Sequence, residues 1–124
     1  MPSTVLIVDD SESCRAMLEM ALHGLPGVDL KTAADGREAL AAIAQSGESL
    51  RALVTDLQLP RMDGFELIET VRAQPFRSAL PIVVISGDSD PRIPTRVAKL
   101  GANAFFPKPY SPAEVRHKLE QLLG

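Results

Sequence analysis

Cysteine is almost absent: Cys14 stands alone among 124 residues, which excludes an internal disulfide and fits a reducing compartment, the cytoplasm by default. No apolar run approaches the ~20 residues needed to cross a bilayer, and the opening MPSTVLIVDD has no basic segment ahead of its two aspartates. Neither a membrane span nor an export signal is expected. Positive charge is scarce too, since the formal net charge is −3 and the basic residues are scattered, so the chain has no footprint for direct nucleic-acid binding. No glycine-rich phosphate loop follows the first apolar run, which removes the main signature of a nucleotide or flavin binder. There is no internal repeat, low-complexity tract or linker. With 45% hydrophobic and 23% charged residues, the composition suits one globular domain spanning residues 1–124 that buries roughly two thirds of its unfolded surface.

Five short apolar runs are present, and four of them end in or lead into a polar residue able to do phosphate chemistry: Asp9 and Asp10, Asp56, Ser86 and Lys108. Thr4 to Val8 is a β-branched run without polar alternation, as in a strand buried on both faces of a parallel sheet, and it breaks at Asp9-Asp10. Cys14, Met17, Leu18, Ala21 and Leu22 then form a helical stripe that stops at Gly24 and Pro26. Val28 to Thr32 is a weaker second strand, followed by a helix with Ala39, Leu40 and Ile43 on its inner face. Ala52 to Thr55 is a third strand ending at Asp56, and the loop LQLPRMDG leads to a helix carrying Phe65, Ile68 and Val71. Pro81 to Ile85 is a fourth strand ending at Ser86-Gly87, where Pro91 and Pro94 delay a short helix until about Thr95. Ala104 to Phe106 is a fifth strand, then Lys108-Pro109 leads to the capping box Ser111-Pro112-Ala113-Glu114 of a last helix burying Val115, Leu119 and Leu122.

Strand and helix alternating five times, with right-handed crossovers, predict an α/β fold: a doubly wound (βα)5 sandwich around a parallel five-stranded sheet. The residue pattern does not fix the strand order. The flavodoxin-like order 2-1-3-4-5 is a common solution, and it places strands one and three together at the switch point where ligands bind. Asp9, Asp10 and Asp56 then converge. Three carboxylates about 5 Å apart repel by roughly 3 kcal/mol per pair at an effective dielectric near 20, so such a cluster takes up protons or a cation. All-oxygen ligands suit Mg²⁺, which keeps several waters and accepts a phosphate oxygen as a further ligand. A carboxylate can itself accept a phosphoryl group, with Lys108 supplying positive charge and Ser86 a hydroxyl donor.

The motifs VLIVDD, VTDLQLPRMDG, VVISG and FFPKP, in this order and at these strand ends, resemble the response-regulator receiver domains of two-component signalling, and the likeness runs from Thr4 to the final helix. The resemblance implies a phosphorylation-dependent switch in which Asp56 accepts a phosphoryl group from the phosphohistidine of a sensor histidine kinase or a phosphotransfer protein. It further implies Mg²⁺ bound by Asp10, by Asp9 mostly through water, by Asp56 and by the backbone carbonyl of Gln58. Ser86 and Phe105 would be the switch pair, Lys108 would meet the phosphoryl oxygens, and the bond to Pro109 matches a position often found in cis. The readout face would be the fourth helix, fifth strand and fifth helix, controlling a downstream protein target or output domain, with a phosphorylation-dependent homodimer among its partners. Phe105 has no hydroxyl, so its coupling rests on packing alone, and Pro91, Pro94 and Pro107 stiffen the same face. Such a module assists its own phosphorylation and dephosphorylation without being a turnover enzyme. The competing readings are an aspartate-nucleophile phosphohydrolase, which would want Asp where Gln58 stands, and a receiver that docks without phosphorylation. Cys14, Met17 and Met20 read as packing, His23 and His117 as exposed helix residues, and Arg92, Arg96, Arg116 and Lys118 as a solvated face beside the output surface.

Overall fold

A computed structural model describes residues 3–124, so the first two residues of the expected 1–124 domain lie outside the described residues. Strands β1 (Ser3–Val8), β2 (Val28–Ala33), β3 (Leu50–Asp56), β4 (Ile82–Ser86) and β5 (Ala104–Pro107) alternate with helices α1 (Glu12–Leu22), α2 (Gly36–Ser46), α3 (Gly64–Arg72), α4 (Ile93–Lys99) and α5 (Pro112–Leu123). All pairings are parallel and the order is β2-β1-β3-β4-β5, as the flavodoxin-like solution requires.

The unbroken apolar strands are explained by burial on two sides. Val5 and Ile7 of β1 pack with Leu18 and Leu22 of α1 and with Val115 and Leu119 of α5. Leu6 and Val8, on the opposite pleat, pack with Ala39 and Ile43 of α2 and with Leu67, Ile68 and Val71 of α3. Two cores thus sandwich one sheet. Helix starts are fixed by side-chain caps: Ser11, Asp35, Asp63 and Ser111 accept from the backbone N–H groups of Cys14, Glu38, Glu66 and Glu114.

Several local expectations shift. Helix α4 begins at Ile93, two residues before Thr95, because Pro94 falls in the first turn, where its missing N–H is not needed, and buried Ile93 anchors that turn. In α3 the inner face is Leu67, Ile68 and Val71, while Phe65 is half-buried under the Arg96 guanidinium, 3.7 Å from its ring centroid. Arg96 therefore stacks rather than simply meeting solvent. Arg116 is also more than a solvated charge: its Nη1 donates to the carbonyls of Ala21 and His23 at 2.9 and 2.8 Å, satisfying the C-terminal end of α1. Leu40 and Leu122 are half-buried, and Met20 is 80% exposed, outside the Leu18/Leu22 stripe. His23 and His117 are exposed, as read from the sequence.

Candidate functional site

Register, rather than any single residue, assembles the site. Val8 pairs with Thr55 across β1 and β3, so Asp9 and Asp56 leave adjacent strands side by side; Asp56 pairs with Ile85 and Ser86 with Pro107, which carries the row on to Lys108. Asp9, Asp10 and Asp56 each present a carboxylate oxygen within 4.8 Å of the others. Asp9 is fully buried and Asp56 is 4% exposed, while Asp10 faces solvent, so the cluster is a basin open on one side. A cleft of about 410 Å³ lined by Asp10, Gln58, Phe65, Asp88 and Ile93 adjoins that side.

The carboxylates are held in place from several directions. Asp56 Oδ1 accepts from the backbone N–H groups of Leu57, at 2.6 Å, and Gln58, at 3.2 Å, and Oδ2 accepts from Lys108 Nζ at 2.6 Å. Lys108 Nζ also donates to Asp9 Oδ2 at 3.1 Å, so one ammonium bridges two buried carboxylates. Burial, the largest influence on that ammonium, lowers its pKa, but hydrogen bonds and charge from Asp56 and Asp9 together outweigh it and leave the pKa raised. Asp9 Oδ1 accepts from Ser11 N at 2.9 Å, tying the basin to the cap of α1.

The loop after β3 is pinned by close approach. Gly64 N–H donates to Leu57 O at 2.8 Å, and a Cβ at Gly64 would overlap the Asp56 carbonyl oxygen. Arg61, in the same loop, adopts a left-handed φ of 70°.

Ser86 is fully buried, and its Oγ accepts from Asp88 N at 3.1 Å. Among the described residues it makes no hydrogen bond to the carboxylates, so it flanks the basin rather than joining it. Phe105 is half-buried against the core that contains α4. The Lys108–Pro109 bond is cis. Gln58 stands beside Asp56, joined to it through its backbone N–H.

Two neighbours escaped the sequence reading. Arg15 Nη1 donates to the Asp9 carbonyl at 2.7 Å, and no motif marks that pairing. Tyr110 has a buried hydroxyl without a hydrogen-bond partner among the described residues, and its pKa is pushed up to about 12, first by burial and then by the nearby negative charges of Cys14 and Asp9. An FPKPY string could have suggested an aromatic next to Lys108.

The three acidic oxygens and their exposed rim fit a hard, oxygen-seeking divalent cation better than a softer metal, since among the described residues no histidine or cysteine joins the cluster. Residues 5–120 match the response regulator receiver domain family. The chain is 32% identical over 120 residues to the chemotaxis protein CheY homolog of Campylobacter jejuni, covering 97% of this chain and 92% of that one. Among solved structures, the chemotaxis response regulator CheY4 of Vibrio cholerae superposes with a TM-score of 0.84 at 34% identity, covering 98% and 99% of the two chains. A response regulator receiver protein from Pseudomonas putida does so with 0.85 at 30% identity, covering 98% of each.

Proposed function

The chain belongs to the response regulator receiver domain family, and on that premise we propose that it is a single receiver domain whose Asp56 accepts a phosphoryl group from a phosphohistidine in the presence of Mg²⁺. The observation that carries the proposal is the pairing of Asp56 with Lys108 at 2.6 Å inside a basin shared with Asp9 and Asp10.

In the step itself an Asp56 carboxylate oxygen attacks the phosphorus of a phosphohistidine. The new O–P bond forms as the P–N bond breaks, and the electron pair returns to the imidazole, which takes up a proton. Lys108 is placed to follow the charge from the carboxylate onto the phosphoryl oxygens. Asp10, Asp56 and the Gln58 carbonyl would hold Mg²⁺, with Asp9 acting mostly through water. The ion, when bound, neutralises phosphoryl charge and offers a fixed point for one phosphoryl oxygen. Hydrolysis of the acyl phosphate later restores the Asp56 carboxylate.

Phosphorylation adds negative charge to a nearly buried site. Ser86, whose hydroxyl oxygen accepts from Asp88 in the unmodified state, can offer its proton to a phosphoryl oxygen. Movement at Ser86 would then alter the packing of Phe105 and the face built from α4, β5 and α5, which would contact a downstream protein or output domain and support a phosphorylation-dependent homodimer. A cytoplasmic setting suits such a partner set, and no helix among the described residues is long and apolar enough to cross a membrane.

Intact-mass measurement after incubation with Mg²⁺ and acetyl phosphate tests this. The wild type gains one phosphoryl group, while Asp56→Asn gains none. Equal labelling of both would defeat the assignment, and repeated turnover of a free phosphate ester would instead indicate a phosphohydrolase.

A further inference from the structure

At the opposite end of the sheet from Asp56, a cleft of about 930 Å³ opens between the C-terminal end of α2, the start of β3 and the Pro75–Arg77 turn that precedes β4. This is within the size range of small-ligand sites. Its walls are apolar, with Leu40, Ile43, Leu50 and Leu80 contributing. Arg77, which also lines it, is only 5% exposed.

Arg77 is unusual for a buried charge. Buried guanidinium groups are normally paired with a carboxylate, yet among the described residues no carboxylate lies within ion-pair distance of it. Its Nη2 donates to the carbonyls of Ile43 and Gly47, at 3.3 and 3.2 Å, which caps the end of α2, and its Nε has no acceptor. Capping accounts for one nitrogen. It does not account for a full positive charge on the wall of an apolar cleft, a task that an exposed lysine at the rim could perform with less desolvation. Arg51 adds a second cation, this one exposed, to the lining, and Glu48, the single carboxylate there, forms no ion pair among the described residues. Phe76, stacked 4.7 Å from the Arg77 guanidinium and 71% exposed, offers a flat apolar surface at the mouth.

We infer that this cleft is a binding site for a small apolar monocarboxylate, its charge paired with Arg77 and Arg51 and its hydrocarbon body against Leu40, Leu50 and Phe76. A monoanion matches the site because Arg77, the one buried guanidinium of the lining, already has one nitrogen committed to backbone carbonyls and Arg51 is exposed, leaving too few donors to desolvate a phosphate dianion. The site uses none of the phosphoacceptor residues and stands independently of their role.

The test is an amide NMR titration of the full chain with hydrocinnamate, with hydrocinnamyl alcohol as the neutral match and an N-acetyl-Phe-Glu amide as the peptide arm. Hydrocinnamate is expected to shift Leu50, Arg51, Phe76 and Leu80 saturably, while the alcohol does not. Arg77→Met should abolish the effect. Because that buried substitution can impair folding, the exposed variants Arg51→Gln and Phe76→Ser serve as the second arm, each weakening binding about tenfold, as expected for one charge-assisted or aromatic contact. Absence of saturable shifts, equal binding of the alcohol, binding by the peptide alone, or indifference to the two surface variants would each overturn the inference.

Discussion

Lys108 offsets part of the negative charge of the basin. Its ammonium touches Asp9 and Asp56 at 3.1 and 2.6 Å, where both carboxylates are almost wholly removed from water. Removing it leaves two buried like charges facing each other, a loss of about 2–3 kcal/mol for a pair whose lysine retains some solvent contact. Lys108→Met should therefore unfold at lower urea than wild type in chelator, and added Mg²⁺ should recover more stability in the variant than in the wild type, because ion binding to the folded state adds by mass action. Equal Mg²⁺ responses would mean that the ion and the ammonium do not share carboxylates. Tyr110 gives the pH dependence. It is the sole tyrosine in a chain without tryptophan, so phenolate absorbance reports one group, and its midpoint is expected at about 12 when folded. The folded pKa is raised from 10.0, so this contribution to stability is complete below pH 10 and is lost as pH climbs through the folded value. A midpoint at the ordinary value in the native protein would show that the hydroxyl is not buried. At this scale the sequence was most readable for residues that terminate apolar runs: Asp9, Asp10, Asp56, Ser86 and Lys108. It was silent on Arg77 and Tyr110, whose environments come from residues distant in the chain, and on Arg15, whose contact with the Asp9 carbonyl six residues earlier no motif marks.

Elements carry these residues to their places through caps, turns and close approaches. Three helices begin with a capping residue followed three positions later by glutamate, at Asp35/Glu38, Asp63/Glu66 and Ser111/Glu114. Only the last was read as a box from sequence, because Asp-Gly pairs also announce plain turns. The start of α4 was misplaced for a similar reason: proline signals both a break and a first helical turn, and buried Ile93 decided between them. Of the residues read on α3, Ile68 and Val71 are buried with Leu67, which was not singled out, while Phe65 is half-buried at the edge under Arg96. The loop between β3 and α3 depends on Gly64 more than on any side chain. Gly64→Ala would push a methyl group into the Asp56 carbonyl, and overpacking of this kind destabilises by about 1–3 kcal/mol. The variant should show a reduced urea midpoint together with slower labelling by acetyl phosphate, because the strained backbone is that of the acceptor itself. Wild-type labelling in a clearly destabilised Gly64→Ala would separate loop geometry from acceptor function.

For the whole molecule, strand order is what turns scattered polar residues into a site. Alternation of strands and helices made the doubly wound class legible, but many orders satisfy it, and 2-1-3-4-5 was favoured as a common solution of that class rather than by the residue pattern. Periodicity reports which face of an element is buried and not which element lies alongside, so the β1–β3 neighbour relation had no local signal. Once that order is set, parallel register brings the carboxyl ends of β1, β3, β4 and β5 to one edge, and the apolar strands leave their polar termini there. Asp9 and Asp10 from one strand end and Asp56 from its neighbour thus form one oxygen-lined site, the feature on which the proposed chemistry rests. It is tested most directly by the anomalous map of a crystal grown with Mn²⁺ in place of Mg²⁺. A single strong peak is expected in the basin, within coordination distance of Asp10 and Asp56 carboxylate oxygens and of the Gln58 carbonyl. A peak elsewhere, or an ion-free basin at saturating Mn²⁺ with Lys108 still bridging Asp9 and Asp56, would contradict it.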